Sequence, residues 1–460
     1  MIEKLDILFL NPDPRRSAGC NISLLGVVAG LDKTRFRAHL AVPDNNEYQD
    51  TLERLGVQVV DYRANNWWYP TPSHFYYHLA GLRERVMALV SAIREREIDL
   101  VYTNAEYTFE GGLAAAIAGI PHVWAQRVQF AADLDVLKCF PLSEGALAQL
   151  MADLSDVVIG NSGVVLRSFP AAIPPDKLEL IESGLAIPHS LAPRAEAKSI
   201  LVTLAGIPPD SRIVLTVGRI SPEKDLVTFV RTAARVVEQP AYMDVHFLHV
   251  GKAAVQPYRD ELTKLCHDLG MENRVHFLGS VELDRINEIY RGADAFLLTS
   301  TNFEGFARTC AEAMLVEVPA ISTRCGGPED YIRDGDTGFL CDVGDVETLA
   351  QRVSWVLDNP DAGREMGVRA RPWIAEHYDE RILNAKWMAL FEKLVSRPRM
   401  AESTRTLQIE LLINVLTHIG QTGVDTHDMN LRLTQAEGLN PLARGTKAIL
   451  RRLSIFMGKG

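Results

Sequence analysis

Residues 299–338 read TSTNFEGFARTCAEAMLVEVPAISTRCGGPEDYIRDGDTG, and this stretch decides the fold class. The apolar residues 295–298 just before it predict a buried strand, and residues 306–315 have the composition of a helix. Glu304 and Gly305 fall in the loop between the two. A strand followed by a short loop and a helix is the repeating unit of a parallel sheet covered by helices.

The same alternation of short apolar runs and helical segments occurs twice along the chain. The sequence therefore predicts an α/β protein with two Rossmann-like, doubly wound domains. Ligands bind such sheets at the carboxyl ends of the strands, so two facing domains would share one cleft. Strands are predicted at residues 6–10, 37–42, 57–61, 100–103, 122–125, 157–159 and 178–181, and then at 213–217, 245–250, 275–278, 295–298, 320–323 and 339–341.

Prolines 188, 193, 208 and 209 mark the join between the two halves. We expect an N-terminal domain over residues 1–185 and a C-terminal domain over 186–378. A terminal crossover helix is expected at 379–400, followed by a helical C-terminal extension, 401–460, which forms a separate appendage. The clearest amphipathic helix is predicted at 74–96.

The bulk composition is that of a globular protein, with 47% hydrophobic and 23% charged residues among 460. The formal net charge of −11 argues against a general nucleic-acid-binding protein, so an anionic ligand must be met by a local site. Six scattered cysteines suit a reducing compartment. No signal peptide or transmembrane helix is predicted, and a cytoplasmic location is expected.

Glu304 and Glu312 are eight residues apart, which is at most roughly 12 Å along a helix. Ionised carboxylates only accept hydrogen bonds, so each suits the hydroxyl groups of a sugar. Gly305 lets the backbone approach a ligand, and a helix beginning near Phe306 offers unpaired N–H groups to a phosphate. The alternative is that both glutamates lie on the exposed face of an amphipathic helix.

This stretch resembles the retaining, nucleotide-sugar-dependent enzymes of glycosyltransferase family 4. The family's E-x7-E motif is met by Glu304 and Glu312, and the order EGF, AEAM, PAISTxCGGP, DGDTGFL is kept. The likeness extends over residues 5–396. It implies the GT-B fold of two facing Rossmann-like domains, a donor sugar at Glu304 and a ribose at Glu312.

A second motif follows the predicted strand 213–217, where residues 218–225 read GRISPEKD. Residues 221–222 have the character of a helix cap and first helical residue, which places Lys224 in the first turn. A helix dipole disfavours a cation there, so we expect Lys224 and Arg219 to point at a diphosphate instead. The resemblance implies the same role for this pair. The alternative is that Lys224 pairs in solvent with an adjacent carboxylate.

In the first half, the resembled family has a Gly-Gly pair that closes over the phosphates, where this chain has Gly19 and Cys20. A phosphate contact from Gly19 is expected, with an ordinary turn as the alternative. Past the fifth strand the family carries a histidine and then an acidic residue. Here Gln126 and Arg127 follow the strand, and His122 lies inside it, where a core histidine is the alternative.

No metal is predicted, although D-x-D occurs at 133–135 and 334–336, because two cations are available to neutralise a diphosphate. No cofactor is expected either, since the nucleotide sugar is a substrate. The basic segment 438–460 has apolar residues on one helical face. It either contacts an anionic membrane surface, which would place the protein at the inner face of the membrane, or docks onto the protein.

We therefore predict a retaining hexosyltransferase that moves a sugar from a nucleoside diphosphate sugar to a glycan or lipid-linked acceptor, in polysaccharide biosynthesis as the resemblance implies. A nucleotide-sugar epimerase or hydrolase of the same fold, and a non-catalytic nucleotide-sugar-binding protein, remain the alternatives. The predicted site comprises the catalytic residues Arg219, Lys224 and Glu304; the donor-binding residues Gly19, Gly305, Phe306, Ala307, Arg308 and Glu312; and the candidate sugar or acceptor contacts His122, Gln126 and Arg127.

Overall fold

The computed structural model describes residues 4–16, 18–62, 72–104, 108–130, 144–301, 304–397, 409–410, 412–414 and 416–422. Within these residues the chain forms one seven-stranded and one six-stranded parallel sheet, each with helices on both faces. The two predicted doubly wound α/β domains are therefore confirmed.

The first sheet has the strand order β3-β2-β1-β4-β5-β6-β7. Its strands are β1 (Leu5–Leu10), β2 (Phe36–Val42), β3 (Gln58–Asp61), β4 (Leu100–Asn104), β5 (His122–Gln126), β6 (Val157–Gly160) and β7 (Leu178–Leu180). Its helices are α1 (Gly19–Gly30), α2 (Gln49–Leu55), α3 (Pro72–Ala80), α4 (Leu82–Glu95), α5 (Glu110–Ala118), α6 (Glu144–Leu154) and α7 (Gly163–Arg167).

The second sheet has the order β10-β9-β8-β11-β12-β13. Its strands are β8 (Arg212–Val217), β9 (Val245–Val250), β10 (Val275–Phe277), β11 (Ala295–Leu298), β12 (Ala320–Thr323) and β13 (Gly338–Cys341). Its helices are α8 (Arg194–Ala205), α9 (Leu226–Val237), α10 (Gln256–Asp268), α11 (Ile286–Arg291), α12 (Arg308–Leu315), α13 (Pro328–Tyr331), α14 (Val346–Asp358) and α15 (Pro360–Tyr378).

Most strands were predictable because strands covered on both faces are apolar throughout. Every residue of β4, β5, β9 and β11 is buried. In each sheet the strand order reverses at one point, between β1 and β4 and between β8 and β11. Loops that leave the sheet there diverge and open a crevice at the carboxyl ends of the strands, which positions the site described below.

The last long helix, α16 (Glu380–Val395), packs on the first domain although it follows the second in sequence. Trp387 and Phe391 join the apolar cluster of β1 and β4, where their rings contact Tyr102. Asn384 donates a hydrogen bond to the carbonyl of Gly26 in α1 over 3.1 Å. The chain therefore crosses between the domains twice.

The expectation that the C-terminal extension is a separate appendage is wrong for its described part, residues 409–410, 412–414 and 416–422, which are helical. Ile409 and Ile413 are buried in the same apolar cluster as Leu82 of α4. Arg83 donates a hydrogen bond to Asn414 over 2.9 Å. Apolar residues four apart give this helix one face that covers the first domain. The basic segment 438–460 lies outside the described residues.

The predicted helix 74–96 is two helices, α3 and α4, separated at Gly81. A Cβ atom at Gly81 would lie 2.7 Å from the Arg85 guanidinium, so the break brings the backbone close to that side chain. In the part of the chain that the structure describes, we find no helix with both the length and the apolar character needed to cross a bilayer.

Candidate active site

A cavity of about 320 Å³ lies between the two domains, at the carboxyl ends of both sheets. Its lining includes the loops after β1, β5 and β6 on one side and after β8, β9 and β11 on the other. The structure brings ten of the twelve predicted site residues to this cleft: Gly19, Arg127, Arg219, Lys224, Glu304, Gly305, Phe306, Ala307, Arg308 and Glu312.

Glu304 and Lys224 form an ion pair in the cleft. The Glu304 carboxylate also accepts a hydrogen bond of 2.7 Å from the Ser300 hydroxyl. Burial acts to raise the pKa of Glu304, but the Lys224 ammonium and these hydrogen bonds outweigh it, so the pKa is lowered. Glu304 is therefore ionised at neutral pH. Lys224 therefore pairs with Glu304 in the cleft, and the alternative, a pair with an adjacent carboxylate in solvent, is not observed.

The predicted helix start at 221–222 is wrong. Residues 222–224 form a 3-10 turn, and α9 begins only at Leu226. Asp225 has a left-handed backbone, with φ of 44°, and its side chain caps α9 by accepting a hydrogen bond from the Thr228 amide over 3.2 Å. Lys224 therefore precedes the helix, and its side chain reaches Glu304.

Arg219 follows β8 and donates a hydrogen bond of 3.0 Å to Glu223. The Ser221 hydroxyl donates to the same carboxylate over 2.7 Å, so Ser221 does not act as the helix cap that the sequence suggested. The Arg219 side chain is 28% exposed and lines the cleft. Glu223 therefore holds a partly exposed guanidinium at the cleft.

Glu312 lies in α12 and accepts hydrogen bonds from the Tyr290 hydroxyl, over 2.9 Å, and from Arg308, over 2.7 Å. Arg308 also donates to the carbonyl of Gly184, the residue before the crossing into the second domain, over 2.7 Å. Tyr290 itself is fully buried. Both predicted glutamates thus lie on the cleft, each held by hydrogen bonds from two other side chains.

The loop 304–307 differs from its prediction in two respects. The helix begins at Arg308, two residues later than expected, because Ala307 adopts a left-handed backbone with φ of 56°. A Cβ at Gly305 would lie 1.9 Å from the carbonyl oxygen of Arg127. The glycine is therefore required by contact with the first domain, whereas the sequence suggested close approach of a ligand.

Gly19 is the first residue of α1 and faces open space, since a Cβ there would meet nothing within 4 Å. The preceding loop is held by Asn21, whose amide group donates hydrogen bonds to the carbonyls of Asp13, over 2.9 Å, and Arg15, over 2.7 Å. Asn21 is not among the residues predicted from the sequence. An asparagine in the first turn of a helix that follows a strand and a turn is the signal that could have found it.

His122 and Gln126 do not reach the cleft. The two ring nitrogens of His122 make hydrogen bonds of 2.8 Å to Thr103 and 2.9 Å to Ser155, and the side chain is buried in the first domain. The Gln126 amide donates to the carbonyl of Val128 over 2.8 Å. Both side chains are buried in the first domain, and a core histidine was the alternative interpretation for His122.

Arg127 lies on the cleft and is only 8% exposed. Its Nε donates to the Asn104 side chain over 2.9 Å, and its Nη2 donates to the Tyr102 hydroxyl over 2.8 Å. Asn104, at the end of β4, in turn donates to Asn11 over 3.0 Å. Asn11 and Asn104 were missed, although a polar residue at the carboxyl end of an apolar strand is a recognisable signal.

The cleft is cationic although the chain is acidic. Its described lining holds six cationic side chains, Arg15, Arg127, Arg219, Lys224, Lys252 and Arg308, against three carboxylates, Asp13, Glu304 and Glu312. The chain as a whole has a net charge of −11. This excess of positive charge suits a ligand with several negative charges.

Among the described residues no three His, Cys, Asp or Glu side chains converge on a point that could hold a metal ion. Asp334 accepts a hydrogen bond from the Leu340 amide over 3.0 Å, and Asp336 pairs with Arg369 over 2.9 Å. The D-x-D segment 133–135 lies outside the described residues.

Residues 204–373 match the model of the family "Glycosyl transferases group 1". The chain is 33% identical over 173 residues to N-acetyl-alpha-D-glucosaminyl L-malate synthase of Bacillus anthracis, a match covering 38% of this chain and 43% of that one. It is 28% identical over 260 residues to D-inositol 3-phosphate glycosyltransferase of Corynebacterium diphtheriae, covering 54% and 57% of the two chains. The chain thus spans about half the length of the curated relatives it matches.

The fold is similar to that of Anabaena HepE, solved in complex with UDP-glucose, with a TM-score of 0.71 and 23% identity. The match covers 85% of this chain and 100% of HepE. The comparisons therefore show the GT-B fold for the two facing domains, and the match to the group 1 family model lies within the second of them.

Proposed function

We propose that the protein is a retaining glycosyltransferase that transfers a sugar from a nucleoside diphosphate sugar to a glycan or lipid-linked acceptor. The observation that carries this proposal is the meeting of Arg219, Lys224, Glu304 and Glu312 on one interdomain cleft. Two cations beside two hydrogen-bonded carboxylates match a donor that is anionic in its middle and rich in hydroxyl groups at both ends.

In this proposal the diphosphate lies against Arg219 and Lys224, beside the start of α12 at Arg308. Charge develops on the leaving diphosphate as the bond to the sugar breaks, and fixed cations and backbone N–H groups stabilise it without reorganising. Because Arg219 and Lys224 supply this charge, the transfer is proposed to need no metal. The group 1 match and the UDP-glucose in the related HepE fold support a nucleotide-sugar donor.

Glu304 would bind hydroxyl groups of the donor sugar, and Glu312 those of the ribose. Lys224 is paired with Glu304 in this structure, so diphosphate binding requires Lys224 to exchange or share its carboxylate partner. That exchange frees lone pairs of Glu304 for the sugar. Binding of the two halves of the donor is therefore coupled through one ion pair.

The acceptor class is proposed from the family resemblance. The basic, amphipathic composition of residues 438–460 supports an enzyme that works at an anionic membrane surface, where a lipid-linked acceptor would lie. Enclosing both substrates between two domains would exclude water, which competes with the acceptor.

The first test is protection against thermal unfolding by UDP, GDP, ADP and their sugars. A ligand present at 100 times its dissociation constant stabilises the native state by about 2.7 kcal/mol, so the correct donor should raise Tm clearly. No shift with any nucleotide would contradict a donor site in this cleft.

The second test separates transfer from the alternative activities. With the identified donor, release of the nucleoside diphosphate should depend on added acceptor, and NMR of the product should show the anomeric configuration of the donor. Release without acceptor would indicate a hydrolase, and epimerised donor an epimerase. Product of inverted configuration would contradict retention.

A further inference from the structure

We propose that Arg127 binds an anionic group, a phosphate or a carboxylate, of a ligand in the cleft. Through Arg127 the first domain also takes part in binding the ligand. This inference rests on the proposed function for the identity of the cleft as the substrate site. The family resemblance does not supply it, because the resembled enzymes carry a histidine and an acidic residue at this point of the chain.

The cationic side chains that line the cleft differ in their partners. Four of the six are paired with a carboxylate: Arg15 with Asp13, Arg219 with Glu223, Lys224 with Glu304, and Arg308 with Glu312. A fifth, Lys252, is exposed to water. Arg127 is different, because it is buried and, within the described residues, makes no ion pair.

The hydrogen-bond partners of Arg127 are neutral. They are the amide oxygen of Asn104 and the hydroxyl of Tyr102. The third guanidinium nitrogen, Nη1, makes no hydrogen bond to the described residues. Two of the three nitrogens are thus fixed in place, and the remaining one is available to a ligand.

Nearby carboxylates do not neutralise Arg127. Glu182 and Glu380 line a small adjoining cavity together with it, but neither forms an ion pair with the guanidinium. Glu182 instead pairs with Lys386 over 3.3 Å. A buried charge without a counter-ion is costly, so its retention at a ligand cleft points to a counter-ion that the ligand supplies.

The geometry around Arg127 makes it rigid as well as unpaired. Its own carbonyl oxygen lies against Gly305, and the Asn161 amide donates to that carbonyl over 3.4 Å. Asn104, its side-chain partner, also donates to the carbonyl of Cys20 in α1 over 3.5 Å. The backbone of Arg127 is therefore held against Gly305, and its guanidinium is held by Asn104, which also contacts the start of α1. A planar, fixed fork of this kind suits phosphate and carboxylate groups.

Either the diphosphate of the donor or an acidic group of the acceptor can supply the anion that Arg127 binds. Binding measurements on the full chain distinguish these two sources. The affinities of UDP and of pyrophosphate report the donor side. Binding of inorganic phosphate to protein already saturated with UDP reports an acceptor-side anion. Arg127→Met removes the charge, and Arg127→Lys keeps the charge but loses the fork.

We expect Arg127→Met to weaken one of these two affinities by roughly tenfold to a hundredfold, the range for a hydrogen bond to a charged group, with a smaller loss for Arg127→Lys. Loss of UDP and pyrophosphate affinity assigns the anion to the donor, and loss of phosphate binding alone assigns it to the acceptor. The matched control is Tyr102→Phe, which removes a neutral partner and leaves the charge; both affinities should stay within about twofold of wild type.

Unchanged affinities in Arg127→Met would overturn the inference, and so would an equal loss in Tyr102→Phe, which would mean that Arg127 only holds the strand ends together. If Arg127→Met does not fold, Arg127→Lys carries the same comparison. UDP binding by wild type with no effect of either variant would refute this inference alone. Failure of wild type to bind pyrophosphate and each of UDP, GDP and ADP would refute the proposed function with it.

Discussion

The ion pair between Lys224 and Glu304 leads to an asymmetric prediction for stability. Lys224→Met leaves the Glu304 carboxylate without its ion-pair partner, and within the described residues only the Ser300 hydroxyl still donates a hydrogen bond to it. Glu304→Gln leaves the Lys224 ammonium, whose side chain is 20% exposed against 10% for Glu304. Since an uncompensated charge costs more where it is more buried, Lys224→Met should be the more destabilising change.

The magnitudes follow from the burial of the two groups. Removing one partner of a buried pair costs about 3–5 kcal/mol, and we expect Lys224→Met to fall in this range. Glu304→Gln keeps a hydrogen-bonding side chain beside a partly hydrated ammonium, so we expect it to lower the free energy of unfolding by only about 1–3 kcal/mol. The double variant leaves neither charge, and its loss should be smaller than the sum of the single losses by about 0.5–3 kcal/mol.

The assay is urea unfolding of the wild type, both single variants and the double variant at pH 7. Lys252→Met serves as the control because Lys252 is an exposed cation of the same cleft, and its free energy of unfolding should stay within about 0.5 kcal/mol of wild type. Additive losses, or a larger loss for Glu304→Gln than for Lys224→Met, would refute the reasoning. A ligand measurement adds a second check: UDP should still stabilise Glu304→Gln, whose lysine is available to the diphosphate, but should stabilise Lys224→Met far less.

Four further outcomes are expected. The pKa of Glu304 is lowered from its ordinary value of 4.5, so the stability difference between wild type and Glu304→Gln should be constant above about pH 5 and shrink as the pH falls further; a difference that grows in acid would contradict this. Gly305→Ala should cost about 1–3 kcal/mol, because its Cβ would collide with the first domain. Gly19→Ala, in open space, should unfold like wild type, and any loss of donor affinity it shows measures how closely a phosphate approaches α1. Ile413→Ala should lower the free energy of unfolding by about 2–5 kcal/mol, as expected for a buried isoleucine, whereas an unaffected protein would mean that the C-terminal helix does not stabilise the first domain.

The sheets could be predicted from the sequence because their signal is local. Fully buried strands such as Ala295–Leu298 are short apolar runs, and the glycine and proline residues around them mark the loops. The placement of Glu304 and Lys224 on one cleft could also be expected. Lys224 follows β8 and Glu304 follows β11, the two strands between which the strand order of their sheet reverses.

The remaining features depend on contacts between distant parts of the chain. Nothing near Gly305 in sequence indicates that the carbonyl of Arg127 lies against it. The left-handed backbone of Asp225, which delays α9, is not the ordinary preference of an aspartate. The burial of Ile413 requires the surface of α4, more than 300 residues earlier. Sequence periodicity shows that a face is apolar but not which surface covers it.

The return of α16 and of the helix at 409–422 to the first domain has a consequence for biosynthesis. Phe391 and Ile413 fill apolar clusters whose other members include Phe9 and Leu82. As the polypeptide leaves the ribosome, part of the apolar surface of the amino-terminal lobe stays uncovered until the whole of the other lobe has been translated. Both sheets have all their strands before α16 is synthesised, so the docking of these two late helices is the step that completes the amino-terminal lobe.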